Sequence, residues 1–305
     1  MPRPSPCRRS HRLSWTHLPL SAIALVLTAA VLHAIWHLLA KHANDTSAFM
    51  WWGIAVGAAW FGAILSTQKS LELPPSVWPI YAGSMLAEFG YLSLITRGYT
   101  LGDLSQVYPI SRGAPPFFVA AWSAVLLGER LPGAGYLGVA LLIVGVYVAS
   151  LPSLRDIWRP LQAVRNRPAQ LALLAAICVA IYTTLDKRIV ASIDPVVYNF
   201  WVYAGIAVVY APMVWLRGDR RSAILEVRGN WRRILVGSVS TVGSYMLALV
   251  ALSQTAASYV GAVRASSVVI GALFGWLLLG ERLGVIRVVA AAIMLAGLAL
   301  IALAN

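Results

Sequence analysis

The chain has 305 residues, of which 59% are hydrophobic and 11% charged, with a mean hydropathy of +0.74. That is more apolar surface than one soluble core of this length can bury, and too few charges for a solvated surface, so the composition excludes a water-soluble globular protein and calls for a lipid bilayer. The formal net charge of +13 does not point to nucleic acid, because the basic residues fall in short connections and tails and the aromatics are scattered through apolar runs.

In chain order, residues 1–19 form a basic tail containing MPRPSPCRRSHR, followed by the apolar run LPLSAIALVLTAAVLHAIW. The pair imitates a signal sequence, yet the run has full spanning length and further spans follow, so it reads as a retained first helix. Apolar segments follow one another near residues 20–40, 47–67, 76–97, 104–127, 133–151, 169–186, 195–216, 234–253, 256–279 and 284–303. Each holds roughly the 20 residues that cross about 30 Å of hydrocarbon, and strand-like alternation is absent. The expectation is an all-α, multi-pass membrane protein of ten transmembrane helices. Away from the span ends only Glu88, Arg112 and Arg264 carry formal charge, and the other charged side chains are expected to reach an interface. The Arg-rich links 152–168 and 217–233 read as solvated surface. Cys7 and Cys178 make neither a disulfide framework nor a metal cluster.

An internal repeat organises the chain. VYPISRGAPPFFVAAWSAVLLGERL (107–131) aligns without a gap on YVGAVRASSVVIGALFGWLLLGERL (259–283) at an offset of 152, pairing Arg112 with Arg264 and one GERL with the other. A second match joins AIWHLLAKH from 34 to AIYTTLDKR from 180 at an offset of 146, pairing Lys41 with Lys187. A five-helix unit enters and leaves on opposite sides of the bilayer, so a fused second copy is inserted upside down and the substrate site lies where the copies meet. The expected units are a first repeat at 20–151, a linker at 152–168 and a second repeat at 169–305.

The doubled GERL and the GDLSQVYPISRG that enters the fourth helix resemble the EamA branch of the drug/metabolite transporter superfamily. HAIWHLLAKH together with YPISRG is also similar to a subgroup of EamA-type proteins associated with phosphonate use. The resemblance implies a ten-helix secondary transporter, often an exporter, of metabolites such as amino acids, with a central cavity, both termini in the cytoplasm and a place in the bacterial inner membrane.

Arg112 lies eight residues into the fourth span, about 12 Å along its axis. A charge at that depth costs at least roughly 2.5 to 3.5 kcal/mol, so it is expected to face a bundle interior or a wet cavity. Arg264 repeats the position. Their guanidinium forks suit a carboxylate, phosphate or phosphonate, although either can instead tie helices together or pair with Glu88. Pro115 and Pro116 cannot donate to the carbonyls of Ser111 and Arg112, and Pro109, aligned with Gly261, frees that of Ser105; each copy thus has a candidate hinge, or a static kink.

His33, His37 and Lys41 form a stripe on the first helix with Trp36 alongside; it faces a cavity, or Lys41 snorkels to the interface. The histidine pair lacks a third ligand, so no metal is expected and no cofactor is implied. Glu88 is the candidate proton-coupling group, with Tyr91 three residues on, and a structural ion pair as its alternative. The substrate-binding candidates are therefore Arg112, Arg264, His37, Lys41, Tyr108, Tyr91 and Trp36. Lys187 and Asp186 read as an interfacial pair. The GER turns read as helix caps. Gly53 with Gly57, and Gly271 with Gly275, read as packing faces that a second copy could share in a homodimer.

Orientation divides the signals. With the N-terminus inside, eight basic residues fall inside and fourteen outside once Arg112 and Arg264 are set aside, the reverse of what the positive-inside rule prefers. No GxSxG, HExxH or Walker motif is present, which argues against an intramembrane enzyme and a primary pump. The leading reading is a secondary transporter of a small anionic or zwitterionic metabolite such as an amino acid, organic acid or phosphonate. A flippase for a lipid-linked polar headgroup is the alternative. The expected partners are that small-molecule substrate and membrane lipid.

Overall fold

The computed structural model describes residues 20–41, 43–68, 70–101, 107, 110–111, 113–149, 151, 157–158, 166–216, 219–267, 269–270 and 285–303, without the side chains of Lys41, Tyr99, Thr100 and Arg287. Side chains that satisfy the first free N–H groups set several helix starts. Asp45 accepts from the Ala48 amide at 3.0 Å to begin one helix, Asp194 from Val196 at 2.8 Å another, and Asp219 from Arg221 at 2.9 Å a third. Proline opens three helices within the first two positions, where a missing N–H costs nothing. The helices are α1 (Leu20–Lys41), α2 (Thr46–Ser66), α3 (Trp78–Leu101), α4 (Pro115–Leu126), α5 (Gly133–Ala149), α6 (Arg167–Val190), α7 (Pro195–Trp215), α8 (Arg220–Gln254), α9 (Ala257–Arg264) and α10 (Val285–Leu303).

Among the described residues, α1, α2, α6, α7 and α8 are long and apolar enough to span a bilayer, and α4, α5 and α10 carry shorter apolar stretches. Large apolar side chains such as Leu86, Val125, Val208 and Leu295 stand exposed on the outside of the bundle, a surface that water would penalise and lipid tails accept. Tryptophans cluster edge to face at both ends of the α2–α7 pair. Trp51, Trp52 and Trp215 meet at one end, and Trp78 and Trp201 stack with Tyr81 at the other. Amphipathic rings concentrate in this way at membrane–water boundaries.

Helix packing obeys an exchange of the two halves. Replacing each of α1 to α5 by its counterpart among α6 to α10 turns α1–α8 into α6–α3, α2–α8 into α7–α3, and α4–α6 into α9–α1, all of which are packed pairs. The pairs α2–α7, α4–α9 and α5–α10 map onto themselves. These self-matched pairs run antiparallel. Ser123 bonds Ser258 at 2.7 Å while Gly261 meets Val119, and Gly138 meets Ile301 while Gly145 meets Met294. Related helices can oppose each other only if the pseudo-two-fold axis lies across the helix direction. The offset of 146 reappears in contact, since Gly90 packs on Cys178 as Gly243 packs on Leu32, and 178 − 146 is 32.

The fourth span follows the sequence reading in part, and two other features differ from it. The fourth span, expected over 104–127, is helical at residues 107, 110, 111 and 113, bends at Ala114 and goes on as α4 from Pro115, so the bend falls directly before Pro115 and Pro116. Helix α9 runs unbroken through Gly261, whose missing Cβ admits Val119, so the helix interruption is not at the expected hinge. It comes directly after the arginine, as a turn at Ala265–Ser266, and the offset of 152 places Ser266 on Ala114, the bend before α4. The other difference is that the link 217–233 contains helix, since α8 begins at Arg220 and turns a corner at Asn230 (φ −119°, ψ 19°). The carboxylate of buried Glu226 holds that corner, accepting from Asn230 at 2.7 Å and from the amides of Asn44 and Asp45.

Close approach of α5 and α10 depends on Gly138, where a Cβ would lie 2.5 Å from Ile301 Cγ1 and 2.8 Å from the Gly297 carbonyl oxygen. Gly138→Leu is expected to cost about 1–3 kcal/mol and lower the thermal midpoint in detergent. Gly133→Ala, with nothing within 4 Å, should change stability by less than about 0.5 kcal/mol. Equal midpoints for the two variants would refute this packing.

Candidate functional site

Asp186 is fully buried four residues before the end of α6. A buried carboxylate needs hydrogen bonds, and three hydroxyls from three other helices supply them: Ser84 of α3 donates at 2.6 Å, and Tyr198 of α7 and Tyr245 of α8 complete the set. The Tyr245 oxygen also lies 3.3 Å from Oε1 of Glu88, which is buried one turn beyond Ser84 on α3. Arg264, the last residue of α9, places its guanidinium carbon 5.2 Å from the centre of the Tyr245 ring and acts electrostatically on both carboxylates. An eight-residue α9 carries that charge about 12 Å from its starting end.

Glycines and aromatics bring these groups together. Gly83 and Gly90 let α3 close on Leu185 and Cys178 of α6, and Gly205 of α7 admits Tyr81 and Met85 of α3. Tyr203 stacks edge to face on Tyr245 at 6.3 Å and donates to the Thr241 carbonyl at 2.6 Å, which fixes α7 against α8.

The arrangement can move a proton. Tyr245 has one hydroxyl hydrogen and two carboxylate neighbours, so it serves one at a time. While it donates to Asp186, Glu88 completes its contact with the tyrosine oxygen only by carrying a proton of its own. A guanidinium beside two carboxylates also matches a ligand that bears both signs of charge.

A second polar junction closes the end of the bundle nearer Asp186. Lys187 is buried and donates to the carbonyls of Leu252 and Thr255, the last acceptors of α8. Glu129 of the first GER turn accepts from the amides of Ala257 at 2.7 Å and Ser258 at 3.2 Å and from the Ser258 hydroxyl at 2.7 Å, capping α9. Gly128 supplies the turn with its φ of 64°.

Of the residues expected from sequence, Glu88, Arg264 and Tyr91 fall in or beside the buried centre, with Tyr91 packed edge to face on Tyr182 at 6.3 Å. His37 contacts His33 through their Nε2 atoms at 3.1 Å, half-buried on α1. Trp36 instead belongs to a separate apolar cluster, stacked on Phe49 at 5.3 Å and covering Gly53 and Gly237. That packing occupies Gly53, and Val242 covers Gly57, so this glycine face is used inside the chain. Arg112, Tyr108, Pro109, Gly271 and Gly275 lie outside the described residues, as does the Lys41 side chain. The pair read as interfacial is not so: Asp186 and Lys187 are both buried, with different partners. Asp186, Ser84 and Tyr198 were missed. In the repeat alignment Asp186 stands opposite Ala40, so it looked unpaired and close to a helix end, and only the spatial convergence of hydroxyls reveals it.

The EamA-like transporter family matches residues 20–151 and 167–303, one match for each half whose exchange the packing obeys. The chain belongs to the EamA-like transporter family. Both EamA halves contribute to the buried centre, Glu88 and Ser84 from the first and Asp186, Tyr198, Tyr245 and Arg264 from the second. A solved crystal structure is similar over 93% of this chain and 96% of its own, with a TM-score of 0.75 and 18% identity, which shows a shared fold. A search of curated proteins gave no match. The chain is thus a membrane transporter by family, and its buried centre is the candidate site of that EamA fold.

Tyr198→Phe removes one of the three donors to Asp186 and is expected to cost about 1–3 kcal/mol, read as a lower thermal midpoint in detergent. An unchanged midpoint would mean that the carboxylate is not held by this hydroxyl.

Proposed function

We propose that the protein is a secondary active transporter of a small zwitterionic or anionic metabolite, such as an amino acid, organic acid or phosphonate, working by proton-coupled alternating access as an exporter in the bacterial inner membrane. Ten spans in two oppositely inserted repeats, 20–151 and 169–305 joined by the linker 152–168, would carry it. The antiparallel, exchange-related packing of the two halves supports this reading.

The observation that carries the proposal is the buried Asp186–Tyr245–Glu88 chain beside Arg264, assembled from both halves. In this reading Arg264 receives the substrate's carboxylate or phosphonate, Asp186 anchors Tyr245, and Glu88 takes and releases the coupled proton. The presence of two carboxylates for one guanidinium among the described residues favours a zwitterion, whose ammonium group would meet the acidic side. Arg112, the sequence counterpart of Arg264, is assigned the matching contact, with Tyr108, Tyr91, His37 and Lys41 lining the path.

Purified protein in proteoliposomes, challenged with amino acids, organic acids and aminophosphonates, tests the assignment. A zwitterion should drive proton movement in the wild type, seen with an internal pH dye. Glu88→Gln should lose that proton movement, and Arg264→Gln should lower substrate affinity by about 10-fold or more, the loss of a charge-assisted pair. Proton movement that persists in Glu88→Gln removes the coupling role, and unaltered affinity in Arg264→Gln removes the binding role.

A further inference from the structure

We infer that the first turns of α8 form a docking surface for anionic phospholipid headgroups. The outward stripe of this helix changes character in order along its length. Val239, Val236 and Leu235 are 53%, 54% and 46% exposed and wholly apolar, as hydrocarbon contact requires. One turn earlier Trp231, 54% exposed, carries the Arg232 guanidinium 5.2 Å from its ring centre, a pairing suited to the boundary between tails and headgroups. Beyond the corner at Asn230 the exposed residues include Arg228, Leu225, Ile224, Arg221 and Arg220. Leucine and isoleucine exposed between arginines are out of place in water and fit a layer where acyl chains begin and phosphates abound.

Among the described residues, basic side chains outnumber acids along this stripe. Between Arg220 and Val236 the sequence holds a single acid, Glu226, and that side chain is buried and committed to Asn44, Asp45 and Asn230. Asp219 turns its carboxylate onto the Arg221 amide as helix cap, and Asp45 of the neighbouring turn accepts from Ala48 and Ser222. The segment is also firmly placed, because Trp52 donates to the Ala223 carbonyl at 2.9 Å. A rigid basic surface beginning at the membrane boundary favours phosphodiester headgroups bearing net negative charge over zwitterionic ones.

The experiment uses the full-length protein in nonionic detergent, with dioleoylphosphatidylglycerol or dioleoylphosphatidylcholine added. Phosphatidylglycerol should raise the thermal midpoint by about 3 °C more than phosphatidylcholine does. At 0.5 M salt, where the screening length falls to about 4 Å, at least half of that increment should vanish. The variant Arg221→Gln/Arg228→Gln/Arg232→Gln should lose the increment while keeping its response to phosphatidylcholine. Arg130→Gln, at another exposed site, should retain it. If the triple variant does not fold, Arg228→Gln alone should show a reduced increment. An increment of wild-type size in a folded arginine variant, or one reproduced by inorganic phosphate at the same concentration, overturns the proposal.

Discussion

The desolvation of one carboxylate constrains much of this structure. Asp186 cannot stay charged without water unless donors replace its hydration, and here the replacements come from α3, α7 and α8. Three helices are thereby held to α6 with defined rotations about their axes. The tight α3–α6 contact at Gly83 and Gly90 and the aromatic edges of Tyr198, Tyr203 and Tyr245 follow from the need to deliver those hydroxyls. A packing of aliphatic residues would tolerate sliding. A hydroxyl displaced by an ångström leaves a buried carboxyl oxygen short of a partner.

The ends of the bundle show the same economy. Three charges outside the centre satisfy backbone groups: buried Lys187 the last carbonyls of α8, half-buried Glu129 the first amides of α9, and buried Glu226 the amides of the α1–α2 turn. The GER turn is therefore more than a stop signal. Its glutamate reaches from one half into the other, so the first copy closes a helix terminus that the second copy leaves open.

Much of the architecture was legible because hydrophobic length and internal repetition are one-dimensional signals. The apolar runs at 133–151, 195–216 and 284–303 correspond to helices whose ends agree to within two residues. Glu88 was legible because a carboxylate in the middle of SMLAEFGYLSL has no interface within reach. Asp186 was not, because distance from a helix end measures depth only when the neighbours end at the same level. Trp36 shows the converse error, since a large ring beside polar residues on a helix can still point the other way, into glycine-lined gaps. The helical start of α8 was hidden by its arginines, whose outward face says nothing about the Ala223 and Glu226 face pressed against the neighbouring turn.

The scaffold obeys the exchange of halves and the chemistry does not. The α3–α6 pair carries Glu88 and Asp186, whereas α1 offers Ala40 at the position of Asp186, and the matching stretch of α8 offers Ser240 and Thr241. A molecule whose halves traded conformations would thus place its acidic groups in a surrounding unlike the one they left. The two ends of a transport cycle would then differ in free energy even in a membrane without gradients, and the resting protein would dwell on one side.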